Sequence, residues 1–105
     1  MDLNKILNIL ENKEYTEVEI EEVYVAVYYQ IYTKNGGMIR ILHYNKVLFS
    51  KERFEILLFI PSEEAPVKSF TIKSDSEYFK RVNDAWNQCV LECTCEIRED
   101  VESYF

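Results

Sequence analysis

The sequence is poor in the residues that bend, cross-link or catalyse: two glycines, two prolines, three cysteines and one histidine in 105 residues. So few glycines and prolines exclude a collagen-like or low-complexity chain, and a hydrophobic content of 48% is that of a packed globule. No apolar run approaches the roughly 20 residues of a membrane span, and the N-terminus is too polar for a signal or transit peptide. We therefore expect one cytoplasmic domain over residues 1–105.

Basic residues are also scarce, with 12 Lys and Arg against 19 Asp and Glu and a net charge of −7. Such a chain repels nucleic acid and anionic membranes but is attracted to basic surfaces. We expect a positively charged protein partner and no direct binding to nucleic acid or membranes.

The few candidate chemical groups do not form a recognisable site. Cys89, Cys93 and Cys95 have the spacing C-x3-C-x-C, whereas zinc and iron–sulfur sites usually need four ligands in two spaced pairs. His43 is distant in sequence, and no nucleophile and acid accompany it at a recognisable spacing. We expect reduced thiols, no metal or cofactor, and no enzymatic activity; a thiol or metal enzyme built on the three cysteines is the alternative.

Hydrophobic periodicity predicts an α+β fold: an N-terminal helix, an antiparallel sheet of three to five strands, and one or two C-terminal helices. A helical stripe covers residues 2–11, with Asp2 as N-cap and Asn12 at its end. Residues 17–32 alternate as one long strand with a bulge or bend at Glu21 and Glu22. Residues 34–37 (KNGG) predict a primed hairpin turn with Asn and Gly at positive φ, and residues 38–44 its return strand.

The second half of the chain is predicted from similar signals. Apolar runs at 47–49 and 54–60 indicate one or two strands, with a helical turn at 51–55 as an alternative, and 67–73 indicates an edge strand. Ser74 and Glu77 have the spacing of a capping box before a helix that includes Tyr78 to Val90. Beyond Glu92 the pattern fits a strand or a helix.

The acidic residues are segregated into two clusters. In residues 11–22 six glutamates are opposed only by Lys13, and in residues 92–102 five acids are opposed only by Arg98. On a strand Glu17, Glu19 and Glu21 would project from one side about 6.6 Å apart, a row able to imitate a nucleic-acid backbone in Lys/Arg pockets. The alternative is the solvated face of an acidic protein. The predicted partner-binding residues are Glu14, Glu17, Glu19, Glu21, Glu96, Glu99, Asp100 and Glu102.

Two segments resemble a known family. Residues 1–16 (MDLNKILNILENKEYT) are similar, without a gap, to the start of small phage-encoded anti-CRISPR proteins, in particular inhibitors of type II CRISPR nucleases that mimic the PAM duplex. The matching residues are Asn4, Asn12, Lys13, Tyr15 and Thr16. Glu14 stands at a position where the family has an acidic residue. Phe79, Asn83 and the W-N-Q at 86–88 resemble that family's second helix, so the likeness covers about a quarter of the chain.

The resemblance implies a helix, a small antiparallel sheet and two further helices, with acids that dock into the PAM-reading basic cleft of the nuclease. It implies a contact role for Glu14, and the acids at 92–102 fall in the acidic stretch after W-N-Q. This chain departs from the family in having Cys93 and Cys95 there, and a longer, more strand-rich middle.

These observations together predict an anti-CRISPR inhibitor, monomeric or dimeric, that acts in the cytoplasm of the host bacterial cell by blocking target DNA recognition. Leu3, Ile6, Phe79 and Trp86 are predicted core residues. An immunity or antitoxin protein that neutralises a basic nuclease is one alternative, and a self-associating structural phage protein is the other.

Overall fold

The structure is a computed structural model that describes residues 2–23, 26–45 and 49–102, with the backbone alone at residues 23 and 92–102. Its five strands form one antiparallel sheet in the order β1-β2-β3-β4-β5, with a helix before it and a helix after it. The predicted α+β class is confirmed. The elements are α1 (Leu3–Glu11), β1 (Tyr15–Val23), β2 (Ala26–Thr33), β3 (Met38–Tyr44), β4 (Arg53–Phe59), β5 (Lys68–Lys73) and α2 (Phe79–Glu102).

Helix α1 begins and ends where the sequence predicts. The Asp2 carboxylate accepts a hydrogen bond from the Lys5 N–H at 2.9 Å, which satisfies one of the free amides of the first turn. Asn12 is the C-cap, and its N–H donates to the Asn8 carbonyl at 3.0 Å. Lys13 then takes a left-handed φ of 58° and redirects the chain into β1.

The predicted long strand over residues 17–32 is wrong, because the chain reverses within it. β1 and β2 pair antiparallel, with Val23 opposite Ala26; residues 24 and 25 lie outside the described part of the chain. The register runs unbroken through Glu21 and Glu22, so the bend predicted there is wrong too, and the irregularity lies between Tyr15 and Glu17. Apolar and aromatic residues continue without a break across the reversal, at 23–29 (VYVAVYY), and no Gly, Pro, Asn or Asp signals it.

The second hairpin is confirmed in place but not in turn type. Thr33 N–H donates to the Gly37 carbonyl at 2.9 Å, and Gly36 N–H donates to the Thr33 carbonyl at 3.1 Å. Gly36 has a φ of 85°, whereas Asn35 does not take a positive φ. The loop is therefore a three-residue connection with a left-handed glycine, not the primed turn expected.

Strands β4 and β5 confirm the predictions at 54–60 and 67–73, and β5 lies at an edge as expected. Residues 51–55 do not form the alternative helical turn, since β4 begins at Arg53. Of the run at 47–49, residues 47 and 48 lie outside the described residues, and Phe49 lies in a turn with its side chain exposed.

Helix α2 begins later than predicted. The capping box of Ser74 and Glu77 is wrong: the Ser76 hydroxyl accepts from the Tyr78 N–H at 3.3 Å, and the helix starts at Phe79. The backbone then stays helical to Glu102, so the open choice beyond Glu92 resolves to one continuous helix.

Both helices cover the same face of the sheet. The core contains Leu3, Ile6 and Trp86, which are buried as predicted, together with the strand side chains that point to the helices. Phe79 is half-buried against this core. The buried strand residues of this face are Tyr29, Ile31, Ile39, Ile41, Phe54, Ile56, Leu58 and Ile72. The opposite side of the sheet has neither α1 nor α2 against it.

Candidate protein-binding face

The helix-free face consists of the strand side chains that alternate away from the core. Strand register sets them in rows across the sheet, one of which runs from Glu19 through Gln30 and Arg40 to Leu57. The face comprises Glu17, Glu19, Glu21, Tyr28, Gln30, Tyr32, Met38, Arg40, Leu42, Tyr44, Arg53, Glu55, Leu57, Phe59, Ser69, Thr71 and Lys73.

Three of the predicted contact residues form an acidic row at one edge of this face. Glu17, Glu19 and Glu21 all project from the same side of the edge strand β1 and are exposed. This is the side-by-side arrangement expected from the sequence, at an edge that the long-strand prediction did not foresee.

Neighbouring side chains of β2 hold two of these carboxylates. The Tyr28 hydroxyl donates to Glu21; the Tyr32 hydroxyl and the Gln30 amide donate to Glu19 at 3.2 and 3.4 Å. The hydrogen bond to Glu21 raises the pKa of Tyr28, and partial burial followed by the Glu19 charge raises the pKa of Tyr32. Both phenols therefore remain protonated at neutral pH and can donate to these carboxylates.

Arg40 lies at the centre of the face. Its Nη2 donates to Gln30 Oε1 at 3.1 Å, and its Cζ lies 5.0 Å from the Phe59 ring centroid and 5.7 Å from that of Tyr28. Two aromatic rings thus stabilise a cation that is only partly hydrated. The Nε atom is buried and has no hydrogen-bond partner among the described residues.

A second polar group occupies the far end of the face. The Arg53 Cζ lies 4.0 Å from the Tyr44 ring centroid, and its Nε lies 3.7 Å from Glu55 Oε1. The Tyr44 hydroxyl donates to Glu55 Oε2 at 3.3 Å. Burial, and then the Glu55 charge, raise the pKa of Tyr44.

Between these polar groups the face is apolar. Met38, Leu42, Leu57 and Phe59 are half-buried, and no described helix covers them. The solvated face of an antiparallel sheet is usually polar, whereas aromatic residues, Met and Arg are enriched at protein interfaces. The composition of this face therefore resembles that of protein interfaces.

The remaining predicted contact residues lie elsewhere. Glu14 is exposed in the connection from α1 to β1, where its carbonyl accepts from the Lys34 N–H at 3.4 Å. Four others belong to the part of α2 in which only the backbone is described: Glu96, Glu99, Asp100 and Glu102.

Sequence reasoning missed the aromatic and apolar centre of the face, since it assigned the tyrosines of β2 to packing. A signal was present: Tyr28 and Tyr32 have the opposite parity to Tyr29 and Ile31. The apolar contributions of β3 and β4 had no such signal, because apolar residues occur at both parities of those strands, as at Met38 and Ile39 or at Leu57 and Leu58.

Residues that carry the family resemblance have structural roles. Asn12 Nδ2 donates to the Asn8 carbonyl at 2.9 Å, and Thr16 Oγ1 donates to the Tyr32 carbonyl at 3.2 Å. Asn4 accepts from Arg81 of α2, which also donates two hydrogen bonds to Glu11 at 3.1 and 3.2 Å. The contacts of Arg81 fasten α1 to α2, whereas that of Asn12 lies within α1 and that of Thr16 joins β1 to β2.

Among the other candidate chemical groups, Cys89 and His43 lie away from this face. Cys89 is buried, with its Sγ 3.5 Å from the Tyr15 hydroxyl; the side chains of Cys93 and Cys95 are outside the described residues. His43 Nε2 lies 2.7 Å from Glu52 Oε1, and its ring stacks on Phe54.

Comparison with protein-family models, with curated proteins and with solved structures gives no match to this chain. Among the described residues, neither helix is long and apolar enough to cross a membrane.

Proposed function

We propose that this protein is a non-enzymatic, cofactor-free inhibitor that binds a CRISPR effector nuclease through its helix-free face and blocks target DNA recognition in the cytoplasm of the host bacterial cell. The observation that carries the proposal is the row of Glu17, Glu19 and Glu21 on an exposed edge strand, with two carboxylates held by tyrosine hydroxyls.

Held carboxylates suit this role for two reasons. Charge-assisted hydrogen bonds from Arg or Lys to a carboxylate are stronger than neutral ones. Side chains that are already oriented lose less conformational entropy on binding. The aromatic and apolar centre beside the row supplies the desolvated contact area that acidic side chains lack.

The choice of a CRISPR nuclease rests on the resemblance of residues 1–16 and 79–88. The acidic row alone would fit any protein with a basic cleft. The second candidate is therefore an immunity protein that neutralises a toxin nuclease, which the same row supports equally well.

The two candidates are separated by DNA cleavage assays with a panel of guide-loaded CRISPR nucleases and a panel of toxin nucleases. The protein is added before or after the target DNA. Inhibition of a CRISPR nuclease only when the protein is added first supports competition for the DNA site. Inhibition of a toxin nuclease alone favours the second candidate, and inhibition of neither class contradicts both.

The role of the row is tested by changing Glu17, Glu19 and Glu21 together to Gln. Glutamine can still accept the tyrosine hydrogen bonds, so we expect an unchanged melting temperature and a loss in affinity for the inhibited nuclease of about tenfold or more, as close charge pairs are lost. Unchanged affinity would show that the row is not in the interface.

The matched control removes three exposed acids elsewhere: Asp75→Asn, Glu77→Gln and Asp84→Asn. Its net charge is the same as that of the row variant. An equal loss of affinity in both variants would assign the effect to net charge and contradict a docked row.

A further inference from the structure

The two edges of the sheet have opposite charge. The β1 edge carries Glu17, Glu19, Glu21 and Glu22, with no basic residue between Tyr15 and Val23. The β5 edge carries Lys68 and Lys73, with no acidic residue between them. Charged side chains are a common means of preventing sheet edges from pairing with one another.

The positive charge at the β5 edge is reinforced from within the sheet. Register places Arg53 of β4 directly opposite Lys73 of β5, on the helix-free face. Like charges placed opposite one another in a strand pair are unfavourable, and an acid set beside Lys73 would relieve this pair.

We propose that copies of this chain associate edge to edge, with β1 of one copy beside β5 of the next. Pairing of β1 with β1, or of β5 with β5, would bring like charges together, so the charges permit only the unlike pair. The occupant of the acidic edge in this assembly is the lysine-bearing edge of a second copy.

Side-chain pattern and strand direction support the same pairing. In an antiparallel sheet of five consecutive strands, β1 and β5 run in the same direction. If two copies form one continuous sheet with all helices on the same side, β5 of one copy therefore lies parallel to β1 of the next. A register that sets Glu21 beside Lys73 then sets Ile20 beside Ile72 and Val18 beside Phe70. Ile20 is 42% exposed in the single chain and would be covered.

Such a contact joins two different surfaces of the chain, so each bound copy can bind a further copy in the same way. Each added copy leaves one β1 edge and one β5 edge free, which gives an open filament or a closed ring according to the twist. The backbone N–H and C=O groups of both edges gain partners in either form.

The test is sedimentation velocity of the wild-type chain over a wide concentration range, with three charge variants. We expect the wild-type mass to rise above twice 12.6 kDa as concentration increases. Glu17→Lys with Glu21→Lys should remain monomeric, as should Lys68→Glu with Lys73→Glu. The variant carrying all four changes should assemble again, and so should a mixture of the two double variants.

Matched controls change the same charge away from the edges: Lys5→Glu with Lys80→Glu, and Glu77→Lys with Asp84→Lys. All four residues are exposed on the helices or in the turn before α2, and these variants should assemble like the wild type. If a lysine-to-glutamate variant fails to fold, Lys68→Gln with Lys73→Gln serves instead and should weaken assembly. A wild type that is monomeric at every concentration, or a four-change variant that does not assemble, overturns the proposal.

Edge-to-edge assembly and nuclease inhibition can be tested independently of each other. Lys68 alternates to the side of β5 opposite the helix-free face, so Lys68→Glu should weaken assembly while leaving that face intact, and this variant should retain any nuclease inhibition.

Discussion

Tyr28 and Tyr29 are sequence neighbours in opposite environments. The Tyr28 hydroxyl lies on the helix-free face and donates to Glu21, whereas the Tyr29 ring is buried against Trp86 in the core. Burial, and then the charge of Glu22, raise the pKa of Tyr29 from its ordinary value of 10.0 to about 12.

This shift predicts a loss of stability in alkaline solution. Between pH 10 and pH 12 the unfolded chain releases the Tyr29 proton while the folded chain retains it, so the contribution is complete below about pH 10 and is lost as the pH rises through the folded pKa. The free energy of unfolding, from urea titrations across this range, should fall less steeply for Tyr29→Phe. An identical decline in variant and wild type would contradict the prediction. Tyr28, Tyr32 and Tyr44 shift in the same direction, so some decline should remain in the variant.

At the scale of single elements, the serine that accepts a hydrogen bond at the start of α2 is Ser76, whereas the sequence pattern favours Ser74. Ser76→Ala removes the hydroxyl that accepts the Tyr78 N–H and should cost about 0.5–1 kcal/mol of unfolding free energy. Ser74→Ala is the matched control and should change it by less, as measured in urea. The reverse order would restore the capping box predicted from sequence.

The β2–β3 turn offers a second test at this scale. Gly36 has a left-handed φ of 85°, so Gly36→Ala should destabilise the protein by roughly 1 kcal/mol. Gly36→Asn should recover part of that loss, because Asn tolerates this conformation better than Ala does. Equal thermal midpoints for Ala, Asn and wild type would contradict the turn geometry.

Elements with local signals were predictable, and elements without them were not. Asp2 and Asn12 mark the ends of α1, and the KNGG sequence marks the second hairpin, because each uses the chemistry of its own side chains or backbone. The β1–β2 reversal has no such residues and is specified by strand pairing alone. The same applies to the helix-free face: the acidic row is visible in one strand, but the apolar centre exists only when β2, β3 and β4 are side by side.

At the scale of the whole molecule, both helices and the strands contribute to one cluster of buried residues. A single domain over residues 1–105 remains a prediction, and Trp86, the one tryptophan, lies inside that cluster. If the chain unfolds as one unit, its fluorescence and the far-ultraviolet circular dichroism should change at the same urea concentration. Separate midpoints would show that the helices and the sheet unfold independently.

The order of the strands also has a consequence for synthesis on the ribosome. Every strand pairs with its neighbour in the sequence, so the sheet can form progressively as the chain emerges. Helix α2 is made after all five strands and supplies part of the cover for the buried face, including Val82 and Trp86. A nascent chain that ends before α2 therefore lacks the rings that contact Tyr29 and Phe54, and this is the stage at which a chaperone or a slow ribosome would matter most.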